Sequence, residues 1–213
     1  MSKLRLSITM SVDGYVAGPA QTQENPLGLG GMELHGWFLP LSEFREMHGQ
    51  EGGEVNASTA VVKERRANIG ATIMGRNMFG PVRGPWPDES WRGWWGEDPP
   101  YHHPVFVLTH HPRPTLEMKG GTTFHFVTDG IGSALAQAEE AAAEKDIWLA
   151  GGASVVNQYL AASFVDEIDL SIAPVILGSG ARLFEGVDPG DLKLEQIRAV
   201  DAPGVTHIKY RVS

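Results

Sequence analysis

The chain has 213 residues, room for about one or two domains, with 17 basic against 26 acidic side chains, a net charge of −9 and no cysteine. The missing cysteines exclude disulfides, thiolate catalysis, iron–sulfur clusters and cysteine-ligated zinc, and remove any need for an oxidising compartment, so a cytoplasmic location is expected. The acidic balance lacks the cationic excess that drives nucleic-acid binding, and no apolar run approaches the ~20 residues that span a bilayer, so neither nucleic acid nor membrane is expected as a partner.

Residues 4–12 alternate, with Leu4, Leu6, Ile8 and Met10 against Arg5, Ser7, Thr9 and Ser11. This period of two predicts a strand rather than a secretion signal, ending at the turn Asp13-Gly14. Residues 17–55 are glycine-rich, and one helix is expected within Leu34–Met47 with Pro40 near its first turn. A second helix is expected over Asn56–Asn68, capped by Asn56 or Ser58 and stopped by Gly70. Ala71–Met74 reads as a short buried strand, followed by Gly75-Arg76. Residues 80–104 form an irregular segment rich in Pro, Gly and Trp, carrying Trp86, Trp91, Trp94 and Trp95.

Val105–Thr109 and Thr123–Thr128 are expected strands. Asp129 is expected to cap a helix that places Ile131, Leu135, Ala138 and Ala142 on one face. Asp146–Ala150 reads as a strand, and Gly151-Gly152 opens a helix carrying Val155, Val156, Tyr159 and Leu160. Val165–Leu177 reads as a long strand in which Pro174 implies an edge or a bulge. Leu192–Val200 and Val205–Val212 form a hairpin around Ala202-Pro203-Gly204. Strands alternating with helices predict an α/β fold with a mixed, mostly parallel sheet and a C-terminal antiparallel hairpin. No polar linker divides the chain, so a single domain over residues 1–213 is expected.

The strongest chemical signal is Gly151-Gly152-Ala153-Ser154. A helix start leaves backbone N–H groups unpaired and carries partial positive charge, and small residues let a phosphate approach. The alternative is a close-packed strand-to-helix turn. Gly75-Arg76 has the same layout, with an arginine able to clamp a phosphate through two hydrogen bonds. Thr109-His110-His111, with Arg113 close by, lies at a strand end where it would suit a 2′-phosphate; the alternative is a solvated loop. No metal site is expected. His102-His103 and His110-His111 are separated by roughly 25 Å of extended chain, too far for one ion. Gly178-Ser179-Gly180 is a small-residue loop and not a nucleophile elbow. The tryptophan segment would serve either as a lid over a flat ring or as an apolar plug.

These pieces stand in a familiar order. Ser7–Ala17, Ile73-Met-Gly-Arg-Asn-Met-Phe79, Val105–Thr109, Leu149-Ala-Gly-Gly-Ala-Ser154 and Ala173–Gly180 with Leu183-Phe184 together resemble the dihydrofolate-reductase-like family. Within it, the pattern is most similar to the reductase C-terminal domain of bacterial riboflavin biosynthesis and its free-standing relatives. The resemblance implies a three-layer α/β/α fold and an NADPH cofactor. It implies that Gly75 and Arg76 hold cofactor phosphate, that Thr109 and His110 lie near the 2′-phosphate, and that Gly151, Gly152, Ala153 and Ser154 take the pyrophosphate. Asp13 and Gly14 would lie beside the nicotinamide, with Asp13 orienting or relaying a proton. Trp37–Glu43 is similar to the helix that carries the substrate-binding acid, with Glu43 as that acid, although the spacing differs and folate itself is not the expected substrate.

The expected activity is hydride transfer from NADPH to a small heterocyclic or sugar-derived substrate, pteridine-like or ribosylaminopyrimidine-like. The alternative is a nucleotide-binding module of the same fold without turnover. The resemblance also implies a homodimer, for which Val165–Leu177 and the C-terminal hairpin would offer an apolar face.

Overall fold

The computed structural model describes residues 2–81, 83–190 and 192–213. In chain order the elements are β1 (Leu4–Ser11), β2 (Tyr15–Ala17), a 3-10 turn (Gly31–His35), α1 (Ser42–Met47), α2 (Ala57–Arg66), β3 (Ile69–Gly75) and α3 (Arg76–Phe79). There follow β4 (Pro104–Leu108), β5 (Leu116–Glu117), β6 (Thr123–Val127), α4 (Ile131–Ala142), β7 (Asp146–Gly151) and α5 (Ala153–Ala161). The last are β8 (Glu167–Ala173), β9 (Ala181–Arg182), β10 (Leu194–Ala202) and β11 (Val205–Val212).

The main sheet runs β10-β11-β8-β1-β7-β3-β4-β6-β5. Strands β8, β1, β7, β3, β4 and β6 are parallel. At the ends, β11 turns antiparallel onto β8 with β10 outside it, and β5 lies antiparallel on β6. A separate ribbon pairs β2 with β9. No helix among the described residues is long and apolar enough to cross a membrane.

The alternation in β1 sorts its residues onto two faces. Leu4 and Leu6 join Ala71, Ile73, Phe106, Ile147 and Leu149 in the largest apolar core, which α4 and α5 cover through Ala134, Ala138, Val156, Tyr159 and Leu160. The opposite face has two halves. Over β1, β8 and β11 it is polar, because Arg5, Ser7 and Thr9 stand in register with Glu167, Asp169 and Ser171, and these with Arg211, Lys209 and His207. Helix α2 covers that half. Over β3, β4 and β6 the face is apolar: Met74, Val105, Val107 and Phe124 pack beneath Tyr101, Trp86, Trp91 and Trp95 of the irregular segment. The three layers are therefore α4 and α5, the sheet, and a second cover built partly of helix and partly of aromatic loop.

Several boundaries differ from the sequence reading, each for a local reason. Leu34–Met47 is not one helix. Pro40 disfavours helical backbone at the residue before it, and Leu41 stays extended at φ −66° and ψ 148°, so α1 starts only at Ser42. Asp129 does not cap α4; the cap is Gly130 at φ 89° with no side-chain bond. Asn56 does cap α2, accepting from Ser58 N while Thr59 accepts from Asn56 N. The strand expected to reach Leu177 stops at Ala173, immediately before Pro174, which has no N–H to donate. It is not an edge, since β8 lies between β11 and β1. It therefore has no free edge, and among the hairpin strands only β10 is outermost.

Candidate functional site

Parallel strands end on the same edge of a sheet, so distant motifs converge there. Across that edge stand Asp13-Gly14 after β1, Gly151-Gly152 at the end of β7, Gly75-Arg76 at the end of β3, and Thr109-His110 after β4. Neighbouring members touch. A Cβ on Gly75 would come within 2.8 Å of Val155 Cγ2 and 3.7 Å of the Gly151 carbonyl oxygen, so only glycine lets the β3 end lie this close to the start of α5. Arg76 Nη1 donates to Thr109 Oγ1 at 3.3 Å, and Thr109 Oγ1 also accepts from the His111 amide at 3.1 Å. Thr109 is buried; His110 beside it is exposed.

The start of α5 is open. Gly152 occupies the cap position and no side chain bonds to the free amides. A Cβ on Gly152 would meet nothing within 4 Å, and Ser154 is exposed. The peptide bond between Gly151 and Gly152 is cis, with Gly151 at φ 123°.

Arg76 carries the most telling electrostatics. Its guanidinium carbon lies 3.1 Å from the centre of the Trp86 ring, and Arg113 lies 5.0 Å from the same ring. Burial, then the charge of Arg113, lowers the Arg76 pKa from its ordinary value. Arg113 is lowered too, chiefly by burial, with Glu89 and Asp88 pulling the other way from beyond pairing distance. Arg113 Nη2 donates to the carbonyls of Glu89 and Trp91, each at 2.7 Å, which ties down the tryptophan segment. Arg76 Nε and Nη2 and Arg113 Nη1 are buried with no partner among the described residues. Buried cationic donors left unsatisfied are costly unless an anion completes them. These arginines, the uncapped α5 and the bare Gly152 backbone fit a phosphorylated nucleotide.

Asp13, expected to orient or relay a proton, is held by backbone amides. Its Oδ1 accepts from the Leu177 amide at 3.1 Å and Oδ2 from the Gly178 amide at 2.7 Å. The Ser11 hydroxyl foremost, opposed by burial and then aided by the Gly178 and Leu177 amides, holds its pKa at about 2. At neutral pH it has no proton to give. It anchors the Gly178-Ser179-Gly180 loop against the end of β1, while Gly14, at φ 88°, accepts the Leu183 amide through its carbonyl.

Glu43 lies in the first turn of α1 and is 3% exposed. Its polar partners among the described residues are the Ser42 hydroxyl at 3.0 Å and Lys63 Nζ at 3.5 Å. The ring of His48, at the end of α1, lies 5.4 Å from Trp95, so α1 meets the tryptophan segment across the sheet face. The two histidine pairs flank opposite ends of β4. Among the described residues no group of three or more His, Cys, Asp or Glu could hold a metal ion. Sequence reasoning noted Arg113 but missed Trp86 as the ring both arginines address. The only available signal was an indole in a segment flanked by glycine and proline.

The sequence matches the family model described as RibD C-terminal domain over residues 2–206. Uncharacterized protein YyaP of Bacillus subtilis is 45% identical over 67 residues, 31% of this chain and 35% of that protein. The chain spans about a third or less of the length of the curated relatives it matches. A putative riboflavin biosynthesis protein from Shewanella sp. PV-4 has a similar structure, with a TM-score of 0.64, 18% identity, and 100% of this chain and 99% of that one covered. A dihydrofolate reductase from Enterococcus faecalis, complexed with NADP(H) and RAB-propyl, gives a TM-score of 0.50 at 14% identity, covering 99% of this chain and 96% of that one. At such identities these two likenesses establish a dihydrofolate-reductase-like fold.

Proposed function

This chain belongs to the RibD C-terminal domain family, a reductase domain of the riboflavin-pathway type, and from that premise we propose that it is an NADPH-dependent reductase of a small heterocyclic or sugar-derived substrate. The observation that carries the reading is the pair Arg76 and Arg113, half-buried cations with buried guanidinium donors that no group among the described residues completes. Such a pair favours the extra 2′-phosphate of NADPH over NADH, since charge-assisted bonds to phosphate are about twice as strong as neutral ones. Arg76, Thr109 and His110 would hold that phosphate. Gly151, Gly152, Ala153 and Ser154 would take the pyrophosphate on the amides that start α5. When bound, NADPH supplies the hydride, which no side chain of this protein can.

The chain's own residues position and shield. Asp13 fixes the loop beside Gly14 as a carboxylate. The aromatic segment, tied down by Arg113, excludes water from the apolar half of the sheet face. Glu43 is the acid nearest in role to a substrate-binding carboxylate, and Glu43→Gln tests it: loss of turnover with unchanged NADPH affinity would assign it to substrate. A second copy of the chain would meet this one along β10, where Leu194 and Ile197 are 46% and 45% exposed; a monomer mass by light scattering at micromolar concentration contradicts that.

The deciding experiment is titration with NADPH and then NADH, followed by quenching of the tryptophans. Tight NADPH binding with much weaker NADH binding is expected, because Trp86 lies against Arg76. No binding of either cofactor removes the oxidoreductase reading. One observation favours a nucleotide-binding module without turnover: the Asp13 carboxylate is ionised and occupied. Incubation with NADPH and a panel of pterins, flavin precursors and quinones separates the two readings. Protein-dependent loss of reduced-nicotinamide absorbance supports the enzyme, and its absence across the panel with intact NADPH binding supports the module.

A further inference from the structure

The opposite end of the sheet holds a cavity of about 450 Å³, within the range of small-molecule sites. It lies beside Ile69 and Gly70, where β3 begins, roughly 20 Å along the strand from Arg76. Arg66 reaches it from the end of α2 and Lys145 from the turn before β7. His102 and His103 contribute from the segment before β4, and the rings of Tyr101 and Trp148 form a wall. Those rings have centres 6.1 Å apart and planes tilted by 37°.

The charge around this cavity has one sign. None of its lining residues is acidic. Neither Arg66 nor Lys145 takes part in an ion pair among the described residues. Asp98, 3.9 Å from His102 Nδ1, does not line the cavity. The carbonyl end of α4 does reach the wall, but a helix end amounts to only about half a negative charge against two full positive ones. His103 registers the field: burial first, then the charges of His102, Lys145 and Arg66, push its pKa down to about 4, while its Nε2 lies 2.7 Å from Thr72 Oγ1. At neutral pH it is an uncharged ring that lines the cavity with Arg66 and Lys145.

We propose that this cavity binds a small planar organic anion, with its anionic group held by Arg66 and Lys145 and its ring against Tyr101 and Trp148. Carboxylate and phosphate heads share that chemistry, so the source is an aromatic carboxylate or a nucleoside monophosphate. The site is separate from the nucleotide edge and does not depend on the reductase reading.

The test is calorimetric titration of the full chain with benzoate, with AMP and with inorganic phosphate, each with and without excess NADPH. Saturable binding of benzoate or AMP that NADPH leaves unchanged is expected, and whichever binds more tightly identifies the head group. The double variant Arg66→Ala/Lys145→Ala should weaken that binding by about tenfold or more while its NADPH titration stays at the wild-type value. Ala141→Trp, on an exposed position of α4 that lines the cavity, should block the ring-bearing probes with both cations still in place. The proposal is overturned if neither benzoate nor AMP binds wild type, if NADPH displaces them, if phosphate binds as tightly as both, or if the double variant and Ala141→Trp leave binding intact. Failure to bind NADPH alone would sink the reductase reading and leave this one standing.

Discussion

Two halves of one sheet face treat their cations in opposite ways. Beneath α2, each cation meets carboxylates: Arg65 pairs with Asp169, Arg198 with Glu64 and Asp169, Lys209 with Glu64 and Glu167, and Arg5 with Asp146 and Glu167. Beneath the tryptophan segment, Arg76 and Arg113 lie against Trp86 and form no ion pair among the described residues. Leftover donors exist in both halves, since the Nε atoms of Arg65 and Arg198 also lack partners. The difference is charge. The first half is neutralised within the fold and serves the fold; the second carries net positive charge that the fold does not cancel. A protein tolerates such a residue where something outside the chain neutralises it, and the uncancelled half is the one that adjoins the open start of α5.

That contrast makes unequal demands on stability. Arg65→Met should cost about 3 kcal/mol in urea unfolding, because Asp169 would stay buried with only Arg198, at 3.4 Å, to neutralise it. Arg76→Met should cost less than about 1 kcal/mol, because it removes an uncompensated cation beside another cation and keeps an apolar stem on Trp86. Equal losses in the two variants would mean that Arg76 also serves the fold, and the contrast would fail.

Ligand affinity should reverse the ranking. Arg76→Met is expected to weaken NADPH by about 2 kcal/mol, roughly thirtyfold, the worth of a charge-assisted bond to phosphate. NADH, which lacks the 2′-phosphate, should change much less, so the preference between cofactors narrows. Arg65→Met should leave both affinities near wild type. If Arg76→Met weakens both cofactors equally, Arg76 holds the pyrophosphate and the 2′-phosphate assignment moves to His110 and Arg113.

The sequence disclosed what local periodicity encodes. The alternation of Leu4, Leu6 and Ile8 with Arg5, Ser7 and Thr9 separates the two faces of β1, and the spacing of Val155, Val156, Tyr159 and Leu160 predicts the buried side of α5. The convergence of Gly75, Thr109 and Gly151 was also legible, because parallel strands must end together. Contacts made by chain reversal were not. Arg65 and Asp169 are far apart in sequence and meet only because α2 lies across β8. Trp86 reaches Arg76 because residues 83–103 fold back over β3 and β4 without a repeating pattern. The setting of Asp13 was hidden for a related reason: its partners, the amides of Leu177 and Gly178, are backbone atoms that no side-chain motif announces.

The paired half also carries a pH signature. His207 sits in that network, with Nε2 2.9 Å from Ser58 Oγ and Nδ1 2.9 Å from Ser171 Oγ. Burial first, then the charges of Arg65 and Arg198, push its pKa from the ordinary 6.5 to about 3. A depressed value means that the unfolded chain takes up a proton the native ring refuses. The stability from neutral His207 is therefore complete above pH 6.5 and drains away as pH falls toward about 3. Glu167 acts in a lower window: burial raises its pKa, but bonds from Lys3 and Lys209 outweigh it and bring the value from 4.5 to about 2, so its contribution is lost only below pH 4.5. Between these onsets His207→Gln should lower the slope of unfolding free energy against pH by up to one proton, about 1.4 kcal/mol per pH unit. The residual slope comes from His35, His103 and His125, whose pKa values burial also lowers. An unchanged slope in His207→Gln would mean that His207 is protonated in the native state. The half beneath α2 would then carry an uncancelled cation of its own, and the contrast with Arg76 and Arg113 would lose its electrostatic basis.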